Sequence, residues 1–382
     1  LEPHAVGVSL LSIKPGMIGG LASYVRQVAR CLAQRNPERF IYFVPRALER
    51  DWRTVLPQSV QLHTCDVDSR STAFRALFEA FRLPRIASKC GCSVLFYPNT
   101  AAPISVDPVP VVTVHDVMYL SQPNDMPWHR AAYLSACYAV IRQRNVRVVT
   151  ISDFCKRDIA QRTGIGLENI RPIHSGVDDH FFNPELEGPR PAEIPDAPYL
   201  LSVAAAYPHK RLPVVVDVFE RVARRHPDLY LVLAGSVHGS DAQQGILVDR
   251  IEASPMRERI VRLGRIDWES VPRLYRDATM LVHASRFEGF GFPVAEAMAS
   301  GTPVAAAPAD GVVEVLAGHG EIASDWTPDA LAAAVERILA WEPAVRQART
   351  AAARAWAQTR YRWDRVAEQL ENEFSQAAAS RR

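Results

Sequence analysis

Ala284-Ser-Arg-Phe-Glu-Gly-Phe-Gly-Phe-Pro-Val-Ala-Glu-Ala-Met-Ala-Ser-Gly-Thr-Pro303 follows the apolar run Met280–His283 without a break. A short apolar run, a glycine-rich turn and an apolar helical segment make the strand–loop–helix unit from which parallel sheets are wound. The turn residues share a physical purpose. Gly289 and Gly291 let backbone amides come close to a ligand, Pro293 suits the first turn of a helix, and the amides there favour an anion such as a phosphate. Glu296 falls on the first turns of that helix. A carboxylate beside an anion site is most useful as an acceptor for neutral donors, for instance two vicinal ribose hydroxyls, and Glu288 in the loop can do the same for sugar hydroxyls. The plainer alternative is an exposed loop acid and a second acid favoured by the helix dipole.

The same alternation runs through all 382 residues. Upstream, Gly7–Ile13, Phe40–Val44, Val94–Tyr97, Val111–Val114 and Val146–Ile151 read as strands, the first followed by a helix with the apolar stripe Leu21, Val25, Val28 and Leu32. Around the quoted stretch, Tyr199–Ala204, Leu229–Ala234, Ile260–Leu263, Met280–Ala284 and Pro303–Ala306 alternate with helical segments such as Val214–His226 and Ala330–Trp341. The expected class is therefore α/β, with two Rossmann-like, doubly wound domains. Pro184, Gly188, Pro189, Pro191, Pro195 and Pro198 mark the joint. We expect domains at 1–190 and 191–358 and a tail, 359–382, with Trp363, Val366 and Leu370 at helical spacing, packing back on the first domain. Open parallel sheets bind ligands beyond the carboxyl ends of their strands, so two such units facing each other would leave a ligand cleft between them.

Composition narrows the chemistry. With 48% hydrophobic and 23% charged residues the chain is an ordinary globular one, and its net charge of +2 argues against a dedicated nucleic-acid binder. No run of 18 apolar residues predicts a membrane span, and no basic-then-apolar leader opens the sequence, so a cytoplasmic address is the expectation. Residues 1–190 carry net +5 and residues 191–382 net −3. All six cysteines lie in the first half without paired Cys-x-x-Cys sets, which favours buried thiols over zinc or disulfides. Asp66-Val-Asp68 could hold a divalent ion against phosphates, but so common a tripeptide, early in an α/β chain, does not carry a metal site.

The Glu288-to-Glu296 run closely resembles the Glu-(seven)-Glu motif of retaining GT-B glycosyltransferases of family four. The likeness runs from about Gly7 to about Phe374. It implies that Glu288 contacts a donor sugar, that Gly289, Phe290, Gly291 and Phe292 bring backbone to sugar and phosphate, and that Glu296 binds the nucleotide ribose. Ser12–Gly20 resembles the family's first glycine loop, which would set Gly19 and Gly20 against donor phosphates or acceptor. Thr113-Val-His-Asp-Val117 closes an apolar strand; by resemblance His115 points toward the donor sugar, and Asp116 either orients its neighbours or caps the next segment. Ser152 and Asp178 sit at family landmarks whose content is mainly architectural. Leu201–Leu212 implies that Lys210 reaches the diphosphate, with Arg211 as a possible second cation. Many relatives carry an arginine where this chain has Ala205.

The resemblance implies a metal-independent hexosyltransferase with retention of configuration and no cofactor. Its partners would be a nucleotide-sugar donor and a glycan or lipid-linked acceptor, and GDP-mannose is favoured over UDP-sugars or dTDP-rhamnose. An impaired nucleotide-sugar-binding protein is the non-enzymatic alternative, motivated by Ala205. A dinucleotide enzyme is disfavoured because the early glycines do not form Gly-x-Gly-x-x-Gly. Residues 70–89 place Phe74, Leu77, Phe78 and Phe81 on one stripe with Arg70, Arg75, Arg82, Arg85 and Lys89 around it. That stripe either packs into the first core or meets an anionic membrane.

Overall fold

A computed structural model of the chain describes residues 5–17, 19–68, 71–121, 126–183, 185, 188–235, 241–264 and 266–380. Arg70 and Pro184 lie outside them. Internal packing divides the chain into two units, Leu1–Gly176 with Trp363–Arg382, and Val177–Arg362.

The first unit is a seven-stranded sheet in the order β3-β2-β1-β4-β5-β6-β7. Its strands are β1 (Ala5–Ser9), β2 (Phe40–Pro45), β3 (Gln61–Cys65), β4 (Cys92–Tyr97), β5 (Val109–Thr113), β6 (Arg147–Thr150) and β7 (Ile170–Pro172). Every pairing is parallel. The central strands are buried on both faces, which is why they read as continuous apolar runs. Strand β3 has no counterpart in the sequence reading: Gln-Leu-His-Thr-Cys is polar and mostly part-exposed because it lies at the sheet edge.

The second unit repeats the scheme with six parallel strands in the order β10-β9-β8-β11-β12-β13. These are β8 (Tyr199–Val203), β9 (Tyr230–Ala234), β10 (Ile260–Leu263), β11 (Met280–His283), β12 (Val304–Ala306) and the two-residue β13 (Glu321–Ile322). Helices Leu212–Ala223 and Pro328–Leu339 close one core, in which Val216, Phe219, Leu231, Leu233, Val335 and Ile338 are fully buried or nearly so. In each sheet the strand order reverses between two neighbours, β1 and β4 in one and β8 and β11 in the other. Open α/β sheets bind ligands in the crevice beyond such a pair.

The division falls earlier than residue 190, and the packing explains why. Phe181 and Phe182, on the short helix Asp179–Phe182, are buried, and the Phe181 ring meets Trp268 and Tyr275 edge-on at 5.6 Å from each. Downstream, Gly188 donates its amide to the Glu269 carbonyl at 2.6 Å and Arg190 pairs with Asp277 at 3.4 Å. The proline-rich joint is thus bound to the second unit.

Helix Pro343–Arg360 ends the second unit's run of helices, and helix Trp363–Ala379 packs on helix Gly20–Arg35 and on β4 and β5 of the first unit. Phe374 fills the space between Phe40 and Phe96, while Glu371 and Glu373 receive Arg35 and Arg147, each at 2.8 Å.

The Phe74 stripe splits. Phe78 is buried and Arg75 turns inward to Glu79 at 3.4 Å, whereas Phe74, Leu77 and Phe81 are 72%, 58% and 46% exposed. A π-helical turn at Phe78–Arg82 interrupts the helix there, so straight 3.6-residue spacing does not hold across it. Arg82, Arg85 and Lys89 are exposed beside the apolar side chains. All six cysteines are free thiols, four of them buried.

Candidate functional site

The chemistry of the second unit gathers beyond the carboxyl ends of β8 and β11. After β8 the chain makes a short turn at Pro208–Lys210 and passes through Arg211 in the left-handed region, φ 53°. After β11 it enters the glycine loop and then helix Phe292–Ser300, whose N-cap Gly291 has φ 87°. The Arg286 amide donates to the His209 carbonyl at 2.7 Å, which ties the two loops together. Lys210 Nζ then lies 2.6 Å from Glu288 Oε1, and His283 Nε2, on the last residue of β11, lies 3.0 Å from the same oxygen. The three side chains are 18%, 11% and 3% exposed, respectively for Lys210, Glu288 and His283. Burial alone pushes the Glu288 carboxyl up, but the Lys210 ammonium and the His283 ring together hold it well below the usual carboxylate range.

The glycine loop is held from behind. Gly311, at the start of helix Asp310–Leu316, abuts the backbone of residues 288 and 289 so closely that a Cβ there would collide with the Glu288 carbonyl. Gly291 combines its positive φ with Val312 at its back, 3.2 Å from where a Cβ would sit. The Phe290 ring is buried edge-on between Phe292 and Tyr361, each at 5.3 Å, so it anchors the loop in the core. One turn into the helix, Glu296 accepts a hydrogen bond from Tyr275 Oη at 2.7 Å. Burial pushes its carboxyl up to about 7, the Tyr275 hydroxyl pulls against this, and the charge of Asp178 adds to it.

In the first unit, Gly19 caps helix Gly20–Arg35 at φ 101°, and both glycines are exposed. His115 follows β5, donates from Nε2 to the Pro98 carbonyl at 3.1 Å and meets the Tyr24 ring edge-on at 4.6 Å. Burial lowers its pKa to about 4, so the imidazole is neutral with Nε2 protonated. Asp116 Oδ1 accepts from the Met118 amide at 3.0 Å. Ser152 caps helix Asp153–Thr163 and Asp178 caps Asp179–Phe182. Asp66 is engaged by Arg46 at 2.5 and 3.2 Å.

Comparison with known proteins matches both units. Residues 18–181 fit the family described as Glycosyltransferase Family 4, and residues 187–356 the family described as Glycosyl transferases group 1. An uncharacterised glycosyltransferase of Methanocaldococcus jannaschii is 25% identical over 64% of this chain and 62% of its own length. An O-antigen chain mannosyltransferase of Salmonella typhimurium is 27% identical over half of each chain. The crystal structure of an Anabaena protein in complex with UDP-glucose superposes with a TM-score of 0.73 at 17% identity, over 97% of this chain and 99% of that one. This chain belongs to the GT-B glycosyltransferases of family four. It spans about half to three fifths of the two curated relatives' lengths.

Within that family the second unit carries the Glu-(seven)-Glu motif, and the structure brings Glu288 and Lys210 into direct contact. Arg211 is directed elsewhere: its Nη2 donates to the Trp326 carbonyl at 2.9 Å, while burial, and then the nearby Arg286 guanidinium, lower its pKa. Arg286, exposed in the same loop as Glu288, is thus a cation the sequence reading passed over. His283, Tyr275 and Gly311 were passed over too. His283 had one visible signal, a polar residue closing an otherwise apolar parallel strand. Tyr275 and Gly311 had none, since each acts on residues distant in sequence.

Proposed function

We propose that this chain transfers a hexose from a nucleoside diphosphate sugar to a hydroxyl of a glycan or lipid-linked acceptor, with retention of configuration and without a metal ion. The observation that carries this reading is the Lys210–Glu288 pair beyond β8 and β11, beside the N-terminus of the Phe292 helix. Breaking a glycosidic bond to a diphosphate grows negative charge on the leaving phosphate, and a preorganised cation with a helix N-terminus is a suitable sink for it. Lys210 takes the phosphate in this scheme, Glu288 a sugar hydroxyl and Glu296 the ribose. His115, neutral and fixed by Pro98, polarises a neutral group and is not the base. In front-face attack the departing phosphate accepts the acceptor's proton, so no protein base is required.

GDP-mannose is the donor we favour, supported by similarity to the O-antigen mannosyltransferase; UDP-sugars and dTDP-rhamnose are the alternatives. The exposed Phe74, Leu77 and Phe81 beside Arg82, Arg85 and Lys89 support contact with an anionic membrane surface, where a lipid-linked acceptor would reside. No described helix is long and apolar enough to cross a membrane. Thermal-shift titration with GDP-mannose, UDP-glucose and dTDP-rhamnose identifies the donor by selective stabilisation. Turnover of that donor in EDTA, with the anomer of the product read by NMR, then tests enzyme against binding protein, retention against inversion, and the metal. Flotation with anionic and neutral vesicles tests the membrane contact: equal behaviour with both removes it.

A further inference from the structure

Two donors converge on a single oxygen of Glu288. Lys210 Nζ and His283 Nε2 both meet Oε1, and among the described residues no hydrogen bond of the chain reaches Oε2. The donors differ in mobility. Lys210 is a compact charge on a flexible four-carbon stem. His283 is a strand residue whose backbone is in register with Ala306, and its carbonyl accepts from the Ala307 amide at 2.8 Å. The rest of β11, Met280, Leu281 and Val282, is wholly buried and apolar. An imidazole closing that strand must be satisfied, and its Nε2 meets Glu288.

We infer that His283 is a positioning residue that keeps Glu288 ionised and aimed while Lys210 turns to the donor diphosphate. This rests on the functional reading above. Whatever share of the Lys210 ammonium the diphosphate takes is lost to Glu288, and a carboxylate so buried without compensating donors takes up a proton. A protonated Glu288 is no longer an acceptor at both oxygens. His283 supplies a donor that does not leave with Lys210, and by occupying Oε1 it reserves Oε2 for a hydroxyl of the sugar. The device is a hand-over: the cation moves to the leaving group and the imidazole holds the acid.

The test compares wild type, His283→Leu and His283→Gln in the full chain with GDP-mannose, UDP-glucose and dTDP-rhamnose as probes. Losing a hydrogen bond to a charged group predicts a fall in kcat of roughly 10- to 100-fold for His283→Leu. The donor KM stays within about threefold, because phosphate and ribose contacts are untouched. Gln, whose side-chain amide can still donate, restores most of the turnover. In a Glu288→Gln background the Leu substitution has little further effect, since the two act through one interaction. Should the Leu variant fail to fold, His283→Val suits the strand and serves in its place. Unchanged kcat in the folded Leu or Val variant of an active enzyme, or full additivity with Glu288→Gln, overturns this inference alone. A wild type that neither binds nor turns over any of the three sugars overturns the functional reading with it.

Discussion

Tyr275→Phe removes one atom and with it the hydrogen bond that Glu296 Oε2 accepts at 2.7 Å. The ring keeps its place, because Phe181 packs on it at 5.6 Å and Thr302 Oγ1 donates to the Tyr275 carbonyl at 2.6 Å. Burial has already pushed the Glu296 carboxyl up to about 7 against that hydroxyl. A hydrogen bond to a charged group contributes about 1.5–3 kcal/mol, so its loss moves the midpoint up by roughly one to two pH units. If the ionised acid is the form that accepts the ribose hydroxyls, donor affinity of the wild type rises with pH through about 7. At pH 7 the variant then binds roughly 5- to 50-fold more weakly, in proportion to its smaller ionised fraction. Calorimetric titration from pH 6 to 9 reads this directly with GDP-mannose or UDP-glucose, whose diphosphates are esterified at both ends and keep a constant charge. A midpoint that is the same in both proteins, or wild-type binding that ignores pH, refutes the reasoning. Stability supplies an independent check with a definite sign. A folded-state carboxyl raised above its unfolded value stabilises the fold at pH below about 4.5, and that contribution is lost as pH rises through about 7. Glu296→Gln therefore melts higher than wild type at pH 8 and no higher at pH 4.5.

Lys210→Met is expected to cost about 3–4 kcal/mol of transition-state stabilisation, a few hundredfold in turnover by analogy with loss of an oxyanion-site donor; steady-state kinetics with the identified donor checks it, and near-wild-type kcat contradicts the assigned role. Gly311→Val forces the backbone of residues 288 and 289 out of place, so donor binding is lost at least tenfold and the melting temperature, read by calorimetry, falls as well. His115→Asn lowers turnover by the same factor at pH 6 and pH 8, because burial already keeps the imidazole neutral across that window; a factor that grows at one end would assign His115 a proton-transfer role.

How much of the fold sequence can disclose depends on burial. Strands β2, β4, β8, β9 and β11 are covered on both faces, and that requirement writes itself as unbroken apolar runs. Strand β3 lies at an edge and β13 is two residues long, so neither needs such a run. The proline-rich joint and the unit boundary differ for a related reason. Proline density reports where regular backbone hydrogen bonding stops, whereas the unit boundary is set by where Phe181 and Phe182 find apolar partners, a property of tertiary packing. Phe74, Leu77 and Phe81 stay exposed while Phe78 turns inward with Arg75 and Glu79, so the apolar stripe lies at the edge of the buried face and not at its centre.

At the site, the legible residues are those whose chemistry is local. Gly291 must adopt a positive φ, Pro293 must start a helix, and Glu296 must stand on its first turns; all of that is encoded within one run of sequence. What surrounds them is encoded by strand order. Because β8 and β11 are neighbours at the point where the order reverses, Lys210 meets an acid 78 positions away, and His283 reaches the same oxygen from the strand end. A sequence reader can name Lys210 and Glu288 as separate parts of a phosphate and sugar site. That the two meet as an ion pair follows only from the crossover that makes those two strands adjacent. The loop that carries Glu288 also carries Arg286, near enough to Arg211 to depress its pKa.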